Sequence, residues 1–329
     1  MVSKNSFLAN ALNLKAIVRE SKSLYESYIG TSYARKRHAR EKQLNPTVEK
    51  AIQAIQRRFP DIKSDCESSP IFIFSAGWRS GSTLLQRLIM SSGNIIIWGE
   101  PYSYSGLINH LSIPLKAITD KYPHSNWLIG NRSNPNPSEL ADKWIANLYP
   151  DISYLLESHL NFLRNLFERS ARERGLERWG IKEVRLTIDH AIYLNWLFPK
   201  AKFIFLYRNP YKAYQSYHGS YWYTEWPLNP VYTPRQFGEH WKSLVEGYMA
   251  GYQKVNGMFV KYEDLCNGNL DISHLEEFLE LKVERDLLKV KVGSSHDRQT
   301  KNPNKVPLAE MRLLKQTVEP LASQLNYKL

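Results

Sequence analysis

The sequence predicts an α/β fold, with helices flanking a central parallel sheet and a helical extension ahead of it. Three observations carry this. From about residue 70 to 265, short apolar β-favouring runs alternate with segments of helical spacing, the pattern of strands joined by crossover helices. The first such run, Ile71-Phe72-Ile73-Phe74, has no polar break, as a strand buried on both faces requires. It leads through a loop with two glycines into Leu84-Leu85-Gln86-Arg87-Leu88-Ile89, where Leu84, Leu85, Leu88 and Ile89 share one helical face. The 329 residues suffice for one large α/β domain or two small ones.

Residues 1–60 read as mainly helical and polar. Asn45-Pro46-Thr47-Val48-Glu49 resembles a helix start with proline in the first turn, and Val48, Ile52 and Ile55 follow as an apolar stripe. Phe59-Pro60-Asp61 ends it. We therefore expect a basic, mainly helical extension over 1–65 and an α/β domain over 66–329. Asn94-Ile95-Ile96-Ile97-Trp98 reads as a second strand, closed by Gly99-Glu100-Pro101. Asn131 to Ser138 is a loop. Residues 151–175 read as one amphipathic helix with Leu155, Leu156, Leu160, Phe162, Leu163 and Phe167 inward. Arg178 to Val184 reads as a third strand, 187–198 as a helix, and Lys202-Phe203-Ile204-Phe205-Leu206-Tyr207 as the strongest strand. Tyr211 to Tyr217 and 235–254 are helical, Gly257 to Tyr262 is a fifth strand, and 271–281 and 307–325 are further helices.

The formal net charge is +12 and uneven. Residues 1–45 hold nine Lys/Arg against three Glu, half of the excess, densest at Arg35-Lys36-Arg37-His38-Ala39-Arg40. Such a segment reads as a solvated arm, or as a contact for an acidic partner or a membrane surface. No recognised nucleic-acid module accompanies the charge, so nucleic acid is not expected. Cys66 and Cys266 give neither a disulfide framework nor metal-ligand spacing, which points to a reducing compartment and no metal. No run is long and apolar enough to span a bilayer and no signal-peptide core is seen, so the expected location is cytoplasmic.

Strand, glycine-bearing loop and helix together make a P-loop-type geometry, whose backbone N–H groups converge on an anion. The nucleotide-binding signature G-x-x-x-x-G-K-[ST] is not met. No Lys precedes Ser82-Thr83; the cation comes earlier, at Arg79. On its own this loop reads equally as an anion site or an ordinary strand–helix turn. Arg208 ends the strongest strand, Asn209-Pro210 fits a helix start, and Ser216 lies eight residues after the Arg. Arg208 and Ser216 could clasp one dianionic group, or could be a surface cation and an idle serine. Two cradles on neighbouring strand ends suit a nucleotide with phosphates at both ends.

On these residues the chain resembles the sulfotransferases that use 3′-phosphoadenosine-5′-phosphosulfate (PAPS). Gly77-Trp78-Arg79-Ser80-Gly81-Ser82-Thr83 is similar to the family's 5′-phosphosulfate loop. Tyr207-Arg208-Asn209-Pro210 with Ser216 is similar to its 3′-phosphate motif, and Val260-Lys261-Tyr262-Glu263-Asp264-Leu265 to its later Y-E-D-L strand end. The resemblance covers about residues 70–265. It implies that Arg79, Ser80, Gly81, Ser82 and Thr83 hold the 5′-phosphosulfate and that Arg208 and Ser216 hold the 3′-phosphate. It further implies PAP as product and no metal. It implies Glu100 as general base, as in the carbohydrate and tyrosylprotein branches, whereas the cytosolic small-molecule branch places a His there. Neither His110 nor His124 fits that position. Lys182 resembles a Lys kept near the transferring group, although Glu183-Val184 departs from the family's Asp-Pro. Arg298 and Lys301 resemble a basic loop that closes over the nucleotide, and read as plainly as solvated cations. The aromatic loop Tyr217 to Trp226 lines the acceptor site or serves packing.

The function expected is sulfuryl transfer from PAPS to a hydroxyl acceptor, carbohydrate-like before phenol or lipid. The rival expectations are a Mg-dependent P-loop NTPase or kinase, disfavoured by the missing Lys, and a non-catalytic nucleotide-binding scaffold.

Overall fold

The structure, a computed structural model, describes residues 4–32, 44–102, 105–128, 148–218, 231–289 and 306–329. The basic run 35–40, the loop 131–138, the aromatic residues from 219 to 226, and Arg298 and Lys301 lie outside the described residues. The chain divides into two compact units, residues 1–45 and 46–329. The described part of the first is helix α1, Lys4–Ile29.

In the second unit, α2 (Val48–Arg58) precedes β1 (Ile71–Ser75), α3 (Ser82–Met90), β2 (Ile95–Gly99) and α4 (Leu107–Ser112). Then come α5 (Ile152–Leu163), β3 (Arg178–Glu183), α6 (Ile188–Leu197), β4 (Lys202–Tyr207) and α7 (Pro210–His218). The chain continues with α8 (Pro234–Gly251), β5 (Gly257–Lys261), α9 (Tyr262–Asn267), α10 (Ile272–Leu279), α11 (Leu308–Val318) and α12 (Leu321–Gln324). The five strands form one sheet in the order β2-β3-β1-β4-β5. Every pair is parallel. This is the α/β architecture the alternating pattern predicts.

Side chains alternate across the sheet, and the sequence sorts them by kind. Phe72, Phe74, Trp179, Ile181, Phe203 and Phe205 enter one core cluster, where they meet α8 and α6. Ile71, Ile73, Ile95, Ile97, Ile204, Leu206 and Val260 enter the other, beneath Leu84, Leu85, Leu88 and Ile89 of α3. The first face is a layer of rings. Phe72 and Phe203 have centroids 5.2 Å apart, and Phe205 and Tyr248 of α8 4.9 Å. Edge and tilted contacts at these separations add to the burial of area.

The route between strands positions the site. Through α3 the chain passes from β1 to the sheet edge at β2, leaving a place that β3 fills. Through α6 it crosses to β4 on the far side of β1. The strand order reverses around β1, and ligands of open parallel sheets sit at the carboxyl ends of such a switch. Helix α2 joins the same core: Val48, Ala51, Ile52 and Ile55 are buried. Thr47 caps it by accepting from the Lys50 N–H at 3.2 Å. Asp189 at the start of α6 accepts from the Val48 and Glu49 N–H groups at 2.8 and 3.1 Å.

Three local expectations are corrected. Pro46 lies ahead of the Thr47 cap, outside the helix. Phe162 is exposed, because two residues from Leu160 put it about 200° around the helix from that core position. Ile152, Leu156, Leu160, Leu163 and Phe167 hold the buried face, and the helix widens into a π turn over Arg164–Glu168. The helix expected over 307–325 is two, α11 and α12, interrupted at Glu319-Pro320, where proline has no N–H to continue the ladder.

Phe203 touches rings on both neighbouring positions of the aromatic layer and is fully buried. F203A is expected to cost about 3–5 kcal/mol of stability, read as a lowered urea midpoint with an unchanged slope.

Candidate active site

All five strands end at one edge, and the predicted residues follow those ends. The loop after β1 is anchored first. The Ala76 N–H donates to the Leu206 carbonyl at 2.8 Å and the Gly77 N–H to the Val184 carbonyl at 3.1 Å, tying the loop root to β4 and to the end of β3. Gly77, Arg79 and Gly81 then take φ of 82°, 59° and 90°. Glycine adopts this region freely, while an arginine there is strained by roughly 1 kcal/mol or more. Arg79 is held in place on both sides of its Cα. Its carbonyl accepts from the Arg208 guanidinium at 2.7 Å, and its own Nε donates to Ser216 Oγ at 2.8 Å.

Gly81 is required twice. Besides its φ, a Cβ there would sit 2.1 Å from the ring of Tyr262. That ring carries the Arg208 guanidinium, 4.5 Å from its centroid. Ser80 is buried; its hydroxyl donates to the Gly77 carbonyl at 2.9 Å and contacts the Ser75 hydroxyl, so it braces the loop from inside. Ser82 is buried and Thr83 exposed in the first turn of α3. The loop and helix start together make the concave array of N–H groups that suits an anion.

The second cradle shares these parts. Asn209 Oδ1 accepts from the Tyr211 and Lys212 N–H groups at 2.9 and 3.1 Å, capping α7 as its position predicts. Glu263 accepts from the Asn209 N–H at 3.0 Å with one oxygen and from the Tyr327 hydroxyl at 2.8 Å with the other. The carboxylate of the Y-E-D-L stretch thus fixes the turn after β4. Trp241 Nε1 donates to the Arg208 carbonyl at 3.0 Å. Ser216 meets Arg79 rather than Arg208, so the two cradles form one connected network.

At the other side of β1, Glu100 follows β2 with φ of 46°, and its N–H donates to the Lys182 carbonyl at 2.8 Å. Its carboxylate pairs with Lys182 Nζ, whose side chain is 7% exposed against 22% for Glu100. The structure therefore brings together Glu100 and Lys182, which lie 82 positions apart.

Sequence reasoning missed several neighbours. Glu183 points to the opposite sheet face from Lys182 and is buried. Burial first, then the Glu100 charge, push its carboxyl up to about 8, against the opposing pull of Arg185 and Lys182. Glu183 and Arg185 line a cavity of about 320 Å³ together with Leu107, Asn109, Lys116 and His190. His190 Nδ1 accepts from the Thr187 N–H at 3.0 Å, so its Nε2 carries the proton and donates to Asn109 Oδ1 at 3.1 Å. Burial lowers its pKa to about 4, keeping it neutral. His240, lowered to about 4 by burial and Arg185, lies over Trp78, with ring centroids 5.3 Å apart. The alternation of the strand signals Glu183, since a carboxylate falls on the ring-lined face; nothing in the spacing signals His240.

His110 and His124 are exposed. Among the described residues no group of His, Cys, Asp or Glu is arranged to hold a metal ion, and no helix is long and apolar enough to cross a membrane.

The model of the Sulfotransferase family matches residues 70–285, a span that contains all five strands, both cradles and the Glu100–Lys182 pair. The chain belongs to that family, and its activity class is sulfuryl transfer. No curated protein matches the sequence. Among solved structures, the sulfotransferase domain of the Synechococcus PCC 7002 olefin synthase is similar at 19% identity and a TM-score of 0.44, over 81% of this chain and 98% of that one. Sulfotransferase STF9 from Mycobacterium avium is similar at 12% and 0.41, over 86% and 84%. A mouse sulfotransferase complexed with PAP is similar at 14% and 0.40, over 80% and 87%.

Glu183 gives a pH dependence of known sign. Its carboxyl is raised from 4.5 to about 8, so between these values the folded state holds a proton that the unfolded state has lost. That contribution to stability is full below pH 4.5 and is lost as pH rises through 8. E183Q is expected to flatten the decline in stability between pH 5 and pH 8, measured by chemical denaturation at both; an unchanged slope would show that Glu183 ionises freely.

Proposed function

We propose that this sulfotransferase uses PAPS as donor and a hydroxyl acceptor, carbohydrate-like in preference, with Glu100 as general base. The observation that carries the reading is the linked pair of cradles, in which Arg79 bonds Ser216 while Arg208 bonds the Arg79 carbonyl. Arg208 Nε is buried with no hydrogen-bond partner among the described residues. A buried guanidinium N–H is costly unless an acceptor meets it, and a phosphate oxygen would do so. The residues therefore fit a nucleotide with two anionic ends.

In this reading the donor supplies the sulfuryl group, and the chain supplies position and charge. Arg79 and the N–H groups of Ser80, Gly81, Ser82 and Thr83 hold the 5′-phosphosulfate. Arg208 and Ser216 hold the 3′-phosphate, and Arg298 and Lys301 belong to a basic loop that closes over the nucleotide. Lys182 holds Glu100 in place and faces the same edge, where it steadies charge on the transferring group. Glu100 takes the acceptor's proton. Its position just past β2, following Trp98-Gly99, supports kinship with the carbohydrate and tyrosylprotein branches.

One observation favours a second base. Glu183 lines the 320 Å³ cavity, and its carboxyl is pushed up to about 8, close to neutral pH, where a general base is most effective. The two assignments separate by mutation.

Titration calorimetry with PAP and no added metal is expected to show binding; none at high micromolar ligand would defeat the proposal. R208A should weaken PAP by roughly 10- to 100-fold, as loss of a charge-assisted hydrogen bond does, and should weaken a nucleotide without the 3′-phosphate by less; equal losses would argue against a direct contact between Arg208 and the 3′-phosphate. With an acceptor found by screening labelled PAPS against sugars, phenols and lipids, E100Q should lower kcat by about 10²–10⁴. A loss of that size in E183Q, with E100Q near wild type, would move the base to Glu183.

A further inference from the structure

Helix α1 carries an exposed face that nothing above uses. Leu14, Ile17, Val18, Leu24, Tyr25 and Tyr28 are between 58% and 83% exposed. At 100° per residue these six and Ser21 fall within an arc of about 120°. Lys15 and Lys22 are exposed and border that arc on one side, Glu20 borders it on the other, and Arg19 lies on the opposite face. Lys22 is drawn to Glu26 only at 4.0 Å. Residues 1–45 as a whole carry nine Lys/Arg against three Glu.

Two occupants could cover such a face, and the charges choose between them. For a second copy, a heptad frame places Leu14, Ser21 and Tyr28 at d and Val18 and Tyr25 at a. Ser21 then interrupts the seam. Lys15 and Lys22 fall at e, while g is Ile17 and Leu24. In a parallel pair each Lys would face an aliphatic side chain. In an antiparallel pair Lys would face Lys. Neither arrangement gives the cations an acidic partner, which is what e and g positions ordinarily supply. An anionic lipid surface does give one. There a broad apolar arc enters the acyl boundary, tyrosines sit at headgroup level, and flanking cations meet phosphates.

We propose that α1 is an interfacial helix that lays its apolar arc on an anionic bilayer surface, with Lys15 and Lys22 on the headgroups. The consequence is an enzyme held at a membrane by a surface helix rather than a span.

The test uses the full chain and vesicles of phosphatidylcholine with 30% phosphatidylserine, beside vesicles of phosphatidylcholine alone, in a co-sedimentation assay. Wild type is expected to bind the mixed vesicles at least about tenfold more tightly than the neutral ones. V18E/Y25E should abolish binding, and K15Q/K22Q should weaken it by roughly fivefold for each charge removed. The same samples are sized by light scattering. Absence of binding to mixed vesicles overturns the proposal. So does binding that survives V18E/Y25E and vanishes with salt, which would be a charge tether without the helix face. A wild-type dimer that V18E/Y25E dissolves, with no vesicle binding, would assign the face to a second copy instead.

Discussion

The hydrogen bond from the Arg208 guanidinium to the Arg79 carbonyl is the contact on which the site depends. It crosses from the end of β4 to the loop after β1, and it holds a non-glycine residue in the left-handed region. From that position the Arg79 side chain reaches Ser216 on α7. The same guanidinium lies on the Tyr262 ring, against which only glycine fits at position 81. One cation therefore sets the shape of the anion loop from behind, before any ligand charge reaches it. Such preorganisation is the means by which a site without covalent chemistry of its own lowers a barrier.

On the other side of β1 the design rests on adjacency within a strand. Lys182 and Glu183 are consecutive and so face opposite sides of the sheet. Lys182 is neutralised by Glu100, while Glu183 lies buried among rings and near Arg185. The two carboxyls thus differ in character although both flank one strand end. Glu100 is paired with a lysine close at hand, and Glu183 is driven toward its neutral form by burial.

Much of this was legible in the sequence. The five strands stand where the apolar runs put them, because a sheet buried on both faces leaves no choice of residue type. Arg79, Arg208, Ser216, Glu100 and Lys182 all reach the carboxyl edge, since each directly follows or ends a strand or lies on the helix after it. What the sequence did not disclose were relations across the sheet. The bond from Arg79 to Ser216 joins the two cradles, and no spacing announces it, because side-chain reach depends on where α7 crosses the loop. Glu183 looked like a departure from a motif until its face of the sheet was known. Phe162 was placed inward by its apolarity, and the helical angle overrode it.

Glu263 joins the turn after β4 to Tyr327, far along the chain, through one carboxylate that accepts at both oxygens. Tyr327 is itself fixed by Lys261 over its ring, 4.6 Å from the centroid. A segment remote in sequence is in this way a strut of the turn after β4, beside the candidate site. Changes made at residues 321–327 for convenience, such as a shortened tail or an attached label, would be felt as altered nucleotide affinity before any loss of fold. A protein engineer would do better to leave that segment intact and work elsewhere.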